Sequence, residues 1–293
     1  MIAQPHPRLV GAAAKTDRAP RAVRWLALAR VAHWLSVRHS LASEAVAVLV
    51  LYATYEAARG LVVGDRRVAV DHAQTVAALE RSLHVFIEPN VQHAARALPG
   101  LLTLFGGAYL TLHLSVTAAL LLWLHQRRPA VFARTRTTLL LASALSLIGF
   151  VAFPTAPPRL AGLGIADTVS GGHVNLNKGL VSALYNPYAA VPSMHVGYAL
   201  IVAAAFFRYG RARMVRLAGA AYPLLVLLVI IATGNHFVLD AAAGGFVALL
   251  AYPLAGAITK GGTTTSARAP AHRLPEVAAV NADLALVEEE LAA

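Results

Sequence analysis

Gly234-Asn235-His236-Phe237-Val238-Leu239-Asp240 is a short polar stretch set between two long apolar runs. Ahead of it, Ala218 to Thr233 carries no charge; behind it, Ala241 to Ile258 carries none, and the next charge is Lys260. Each run approaches the ~20 residues that a helix needs to cross a bilayer. The stretch therefore reads as the turn of a membrane hairpin, with a histidine and an aspartate at its tip. Such groups are costly at a membrane boundary unless they are paired or used. Four residues separate His236 from Asp240, which puts them one above the other on a helix face. The carboxylate can then hold the proton of one imidazole nitrogen and leave the other as base or nucleophile. Taken alone, the pair reads equally well as an ion pair tying two helices together.

Composition supports the membrane reading. Of 293 residues, 58% are hydrophobic and only 13% charged, and the mean hydropathy is +0.61. These values describe an integral membrane protein. The chain has no cysteine, which excludes disulfides, thiolate nucleophiles and cysteine-based metal sites. The net charge of +11 comes from arginines beside the apolar runs. That placement sets membrane orientation and gives no reason to expect nucleic acid as a partner.

The fold expected is all-α, a polytopic membrane protein of six transmembrane helices with an interfacial N-terminal helix. Residues 1–23 mix Pro, Ala, Gly and basic residues without periodicity and read as a disordered cytoplasmic tail lacking the order of a signal peptide. Residues 24–259 form the membrane domain, and 260–293 a cytoplasmic tail. Trp25, Leu28, Val31 and Leu35 make one stripe within Arg24 to Ser40, which suits a helix lying in the headgroup region. The spans are expected at 41–62, 101–124, 138–153, 192–207, 217–233 and 236–258, the first marred by Glu44 and Glu56. Between the first two spans, Asp71 to Leu98 has the spacing of one or two surface helices.

Orientation follows from arginine counting. The loop after the second span carries Arg127, Arg128, Arg134 and Arg136, and the loop after the fourth carries Arg208, Arg211, Arg213 and Arg216. With the basic N-terminal tail, they mark one side as cytoplasmic. Both termini are then inside, and the Gly234 stretch faces outward with the loop 154–191.

Two more polar stretches lie on that outer side. Pro157-Pro158-Arg159 presents a guanidinium on a stiff stalk, and guanidinium bonds two phosphate oxygens at once. Pro192-Ser193-Met194-His195 reads as a helix start, with Pro192 at the first helical position. Its unpaired N–H groups and the Ser193 hydroxyl suit an anion, and His195 stands in the same turn. Arg159, Ser193, His195, His236 and Asp240 together suffice for phosphoryl transfer through a phosphohistidine. No phosphate-binding glycine loop and no Gly-x-Ser-x-Gly elbow is present.

Pro-Ser-Met-His, followed about forty residues later by His-x-x-x-Asp, resembles the type 2 phosphatidic acid phosphatase superfamily, over roughly Phe153 to Gly245. The resemblance implies a phosphatidic acid phosphatase-type membrane enzyme. His236 would be the nucleophile, Asp240 its orienting partner, His195 the general acid, and Arg159 and Ser193 the phosphate ligands. The sequence also departs from the family pattern. The superfamily has a lysine upstream of the first arginine, a Ser-Arg pair before the last histidine and Pro-Ser-Gly-His in the middle. Here no basic residue lies between Arg136 and Arg159, Val229 and Ile230 replace the pair, and Met194 replaces the glycine.

Asn186-Pro-Tyr-Ala-Ala-Val-Pro-Ser-Met-His195 looks most like bacterial relatives of the inositol phosphorylceramide synthase and sphingomyelin synthase branch. That likeness implies membrane lipids as partners: a phospholipid donor and a lipid or polyol acceptor, with no cofactor. Lys178, His173, Asn186 and Asn235 are the candidate substrate contacts. Three other readings share parts of this evidence. One is a lipid phosphate phosphatase using the same residues, and another a proton-coupled transporter, which would want charges at mid-membrane. The third is a zinc or iron site built on His195, His236 and Asp240.

Overall fold

Ser40 opens α1 (Leu41–Leu61) by accepting from the Ser43 N–H, and Asp65 opens α2 (Arg66–Ser82) by accepting from Arg67 and Val68. Short polar side chains at these positions satisfy N–H groups that a helix leaves unpaired. Then come α3 (Glu88–Arg96), α4 (Leu101–Arg127), α5 (Pro129–Ala152), a 3₁₀ turn (Pro158–Leu160), α6 (Met194–Tyr209), α7 (Arg213–Ala232) and α8 (Val238–Ala267). The computed structural model describes residues 39–168 and 186–267, the last seven as backbone only, with positions 31 and 33–35 ahead of them. Among the described residues there is no strand, only an isolated bridge between Thr155 and Ala189. The protein is all-α.

Five helices, α1, α4, α5, α7 and α8, are long and apolar enough to cross a membrane. The expected fourth span is α6, which has only 16 residues, or ~24 Å at 1.5 Å per residue. That is short of the ~30 Å hydrocarbon core, so the count of six is not met by length. The interfacial helix expected from Arg24 falls mostly outside the described residues; positions 31 and 33–35 are helical. The segment Asp71 to Leu98 is two helices, α2 and α3.

Several expected boundaries move. α5 begins at Pro129, not near Thr138, so Arg134 and Arg136 are helix residues and not loop residues. Arg136 is 1% exposed; its Nη1 donates to Glu44 Oε2 at 2.6 Å and its Nη2 to the Trp34 carbonyl at 2.9 Å. Arg134 stacks 4.0 Å over the Tyr252 ring. Glu44, which mars the first span as a sequence, is thus the counter-charge of an arginine that mars the third. Removing one member of such a buried pair costs ~3–5 kcal/mol. Pro192 is not the first helical residue either: Ser193 is the N-cap and α6 starts at Met194.

The packing places the site. α8 lies against α5 and α6, and α6 lies against α7. A Cβ on Gly244 would come 2.0 Å from the Ser193 carbonyl oxygen, and one on Gly197 would come 3.0 Å from the Gly244 carbonyl. The α6 and α8 backbones therefore touch, as small residues permit in membrane bundles. This crossing brings the first turns of α6 and α8 together.

Candidate active site

The chain leaves α7 through Gly234, whose φ of +67° suits glycine, and a Cβ there would come 2.7 Å from Ile165. The N–H groups of Asn235 and His236 both donate to the Ile230 carbonyl, at 3.0 and 3.3 Å. His236 therefore stands in the turn before α8, not on the helix where four-residue spacing would put it. Its link to Asp240 survives through a cap. Asp240 Oδ2 accepts from the Phe237 N–H at 2.9 Å, as the acid of a capping box does, and lies 3.3 Å from His236 Nδ1.

His236 Nδ1 is also 3.0 Å from the Ala190 carbonyl oxygen. A carbonyl and a carboxylate both only accept, so Nδ1 carries the proton. In the neutral ring, Nε2 then keeps its lone pair, the form a nucleophile needs. Asp240 is fully buried, and its Oδ1 has no hydrogen-bond partner among the described residues.

His195, in the first turn of α6, is the nearest ionisable ring. Its centroid is 5.5 Å from that of His236; it stacks on Tyr109 at 4.4 Å and meets the edge of His113 at 4.3 Å. Both histidines line a cavity of about 60 Å³, several times the ~10–15 Å³ that one water needs. Its walls include Tyr52, Glu56 and Arg59 of α1, His113 of α4, Asn186 and Asn235. A separate apolar pocket of about 860 Å³ runs between α1, α4 and α5 and shares Tyr52, Tyr55 and Tyr198 with this cavity.

The other expected site residues divide. Arg159 reaches the same end of the bundle, and its N–H donates to the Gly234 carbonyl at 3.0 Å. Its side chain is buried, however: Nε donates to Asn235 Oδ1 at 2.9 Å and Nη1 pairs with Asp167 at 2.8 Å. It holds Asn235 in place and is not among the cavity walls. Ser193 donates its N–H to the Asp240 carbonyl at 2.9 Å, while its buried hydroxyl has no partner among the described residues. Asn186 lines the cavity with its amide engaged, donating to the Arg59 and Val62 carbonyls at 3.0 and 2.6 Å. Asn235 also lines it, donating to Thr233 at 2.8 Å. Lys178 and His173 lie outside the described residues. Val229 and Ile230 are core residues. No group of three or more potential metal ligands gathers among the described residues.

Two acids missed in the sequence complete the α8 start. Glu88 Oε1 accepts from the Val238 N–H at 3.0 Å, and Glu80 Oε1 from the Leu239 N–H at 2.7 Å; neither residue is exposed. Burial pushes the Glu80 carboxyl up to about 8; the Leu239 N–H works against this, and the neighbouring Glu88 adds to it. A shared proton is the ordinary answer to two carboxyls at one helix end. The signal was available: Ala69, Ala73, Val76, Ala77 and Glu80 form one buried stripe, with an acid where an apolar residue belongs.

A family model described as "PAP2 superfamily" matches residues 74–254. No curated protein and no solved structure matches the chain.

Proposed function

Since the chain belongs to the PAP2 superfamily and is a phosphatase-type enzyme acting on lipid-like substrates, we propose that it transfers a phosphoryl or phospho-headgroup between membrane lipids. The observation that carries this reading is the double acceptor on His236 Nδ1, which leaves Nε2 as the nucleophile beside a second histidine. His236 Nε2 attacks phosphorus, and the bond from phosphorus to the leaving oxygen breaks. His195 gives that oxygen its proton. The phosphohistidine carries positive charge on its ring, which Asp240 balances. An acceptor hydroxyl then attacks, His195 takes its proton, and the N–P bond breaks to restore neutral His236.

Ser193 and the first-turn N–H groups of α6 are assigned to the phosphoryl oxygens, with Arg159 behind them. Lys178, Asn186 and Asn235 are assigned to the headgroup. Transfer to an alcohol, not to water, is favoured by the apolar core positions Val229 and Ile230, where the superfamily pattern carries Ser and Arg. The adjoining apolar pocket supports a substrate with long chains.

With α6 counted as a crossing, both termini fall on the arginine-rich side, which is assigned to the cytoplasm. The site then faces outward. An impermeant thiol reagent should label a cysteine introduced at position 171, and not one at 264, in intact cells; the opposite pattern reverses the orientation.

Purified protein in vesicles, given a lipid phosphate labelled in its phosphoryl group together with a lipid alcohol or a polyol, should place label on the acceptor. Label released only as inorganic phosphate, whatever the acceptor, would make the protein a phosphatase using the same residues. Retention of all label on the donor would end the reading.

A further inference from the structure

The phosphoryl site described so far has a gap. A transferring phosphoryl group spreads negative charge over its oxygens, and enzymes meet it with fixed cations inside the cavity. Arg159 faces Asp167 and Asn235 and does not line the cavity. Among the described walls there is one lysine or arginine, Arg59 of α1.

α1 is an unusual source. Its only substantial neighbour among the described helices is α5, and it lies outside the matched residues 74–254. Yet Tyr52, Tyr55, Glu56 and Arg59, spaced three, four and seven apart, all line the cavity. Arg59 Nη1 donates to Glu56 Oε2 at 3.0 Å, and both side chains keep about a fifth of their exposure, 19% and 22%. Arg59 shares the cavity wall with His113, His195 and His236. Two supports hold the stripe in position. Tyr55 meets Ser146 of α5 at 3.4 Å, and Asn186 grips the Arg59 and Val62 carbonyls just ahead of the α6 start. A purely structural pair near the membrane edge would not need this anchorage at the cavity, since it could lie along the headgroups.

We infer that Arg59 binds the phosphate of the substrate and that Glu56 accepts from a hydroxyl of the headgroup or of the acceptor alcohol. The contact with Glu56 engages one part of a guanidinium that has five N–H donors in a planar fork, so the same residue can bridge the acid and a phosphate. The cation absent before Arg159 in the sequence is then supplied from another helix. The chemistry selected is a phosphorylated lipid carrying, or transferred to, a hydroxyl group. This inference rests on the proposed phosphoryl site.

The test uses full-length protein and inorganic vanadate and phosphate as probes. Wild type should be inhibited competitively by both. Arg59→Gln should weaken both inhibition constants by roughly 10- to 100-fold, the worth of a charge-assisted hydrogen bond, and raise KM with a smaller fall in kcat. Arg59→Lys should recover part of the loss. The double variant Glu56→Gln/Arg59→Gln leaves no lone charge and guards against misfolding; it should keep the wild-type melting temperature and show the same weakened vanadate inhibition as Arg59→Gln. Unchanged inhibition in the double variant overturns the role of Arg59 while leaving the histidine site standing. A wild type that transfers no phosphoryl group and ignores vanadate overturns both.

Discussion

Two helix starts meet at the site, α6 and α8, and they are finished in opposite ways. At α8, three acidic side chains of the protein occupy the free N–H groups: Asp240 takes Phe237, Glu88 takes Val238 and Glu80 takes Leu239. At α6, Ser193 makes no side-chain cap, and its hydroxyl is buried without a partner among the described residues. A helix start attracts anions in either case. The protein spends its own acids on α8, which immobilises the turn carrying His236; in the proposed reading, α6 is left for an anion that arrives from outside. In that reading, one end serves a nucleophile and the other a phosphate.

The strongest way to break this contrast is to exchange the histidines' roles. His236→Ala should lose turnover of every substrate by about 10⁴-fold or more, as removal of a nucleophile does. His195→Ala should lose roughly 10²- to 10⁴-fold on a lipid ester but much less on an aryl ester, whose leaving oxygen needs little protonation. Rates on both esters measure this. Equal loss on both for His195→Ala, with His236→Ala active on the aryl ester, reverses the assignment.

Next in size is the hinge between the two ends. Gly244→Ala places a methyl 2.0 Å from the Ser193 carbonyl, so the α6 start must move away from Asp240. Overpacking of this kind costs ~1–3 kcal/mol, and a shift of ~1 Å between catalytic groups costs on the order of 100-fold in rate. Melting and kcat should fall together; a fully active Gly244→Ala enzyme contradicts the close crossing.

The acid cap of α8 gives a smaller and pH-dependent effect. Glu80 has a carboxyl raised to about 8 in the fold, against about 4.3 in an unfolded chain. The folded state therefore holds the extra proton between those values. Its stability contribution is complete below the lower value and is lost as pH rises through the upper one. Melting in detergent from pH 5 to 9 should show that decline, and Glu80→Gln should flatten it. A Glu80→Gln protein with the wild-type pH slope removes Glu80 from the account. Smallest of all is Ser193→Ala, which should leave melting unchanged because the hydroxyl has no partner to lose. It should weaken vanadate inhibition by roughly 3- to 10-fold, the worth of one neutral hydrogen bond. Unchanged inhibition would take the hydroxyl out of the phosphate site.

The asymmetry explains what the sequence could and could not disclose. His236 and Asp240 are close in the chain, so their partnership is legible from spacing, even though the geometry is a capping turn and not a helix face. His195 and the Pro-Ser run are legible as a helix start, misread by two residues because Ser193, not Pro192, sits at the junction. The fourth span stands apart in both readings: α6 has 16 residues, as many as the apolar run at 192–207 and fewer than the ~20 that cross a bilayer. Arginine counting misplaced Arg136 because a charge near a membrane edge reads as a loop residue, and its partner Glu44 stands 92 residues away. Glu80, Glu88 and Arg59 act across similar distances. Each shows locally only as a charge on an otherwise buried or aromatic stripe, a mark that names no partner.

The central claim is that His236 Nε2 becomes phosphorylated. His195→Ala protein should trap that state: an aryl phosphate can load His236 without an acid, whereas unloading to an alcohol needs His195 as base. Rapid quenching at alkaline pH followed by mass spectrometry of the labelled peptide reads the residue, and phosphorus NMR of the same peptide reads the nitrogen. The account predicts acid-labile phosphate on Nε2 of His236, near one per chain, absent in a His236→Ala/His195→Ala double variant. Phosphate on Nδ1 of His236, or on any other residue, would contradict it.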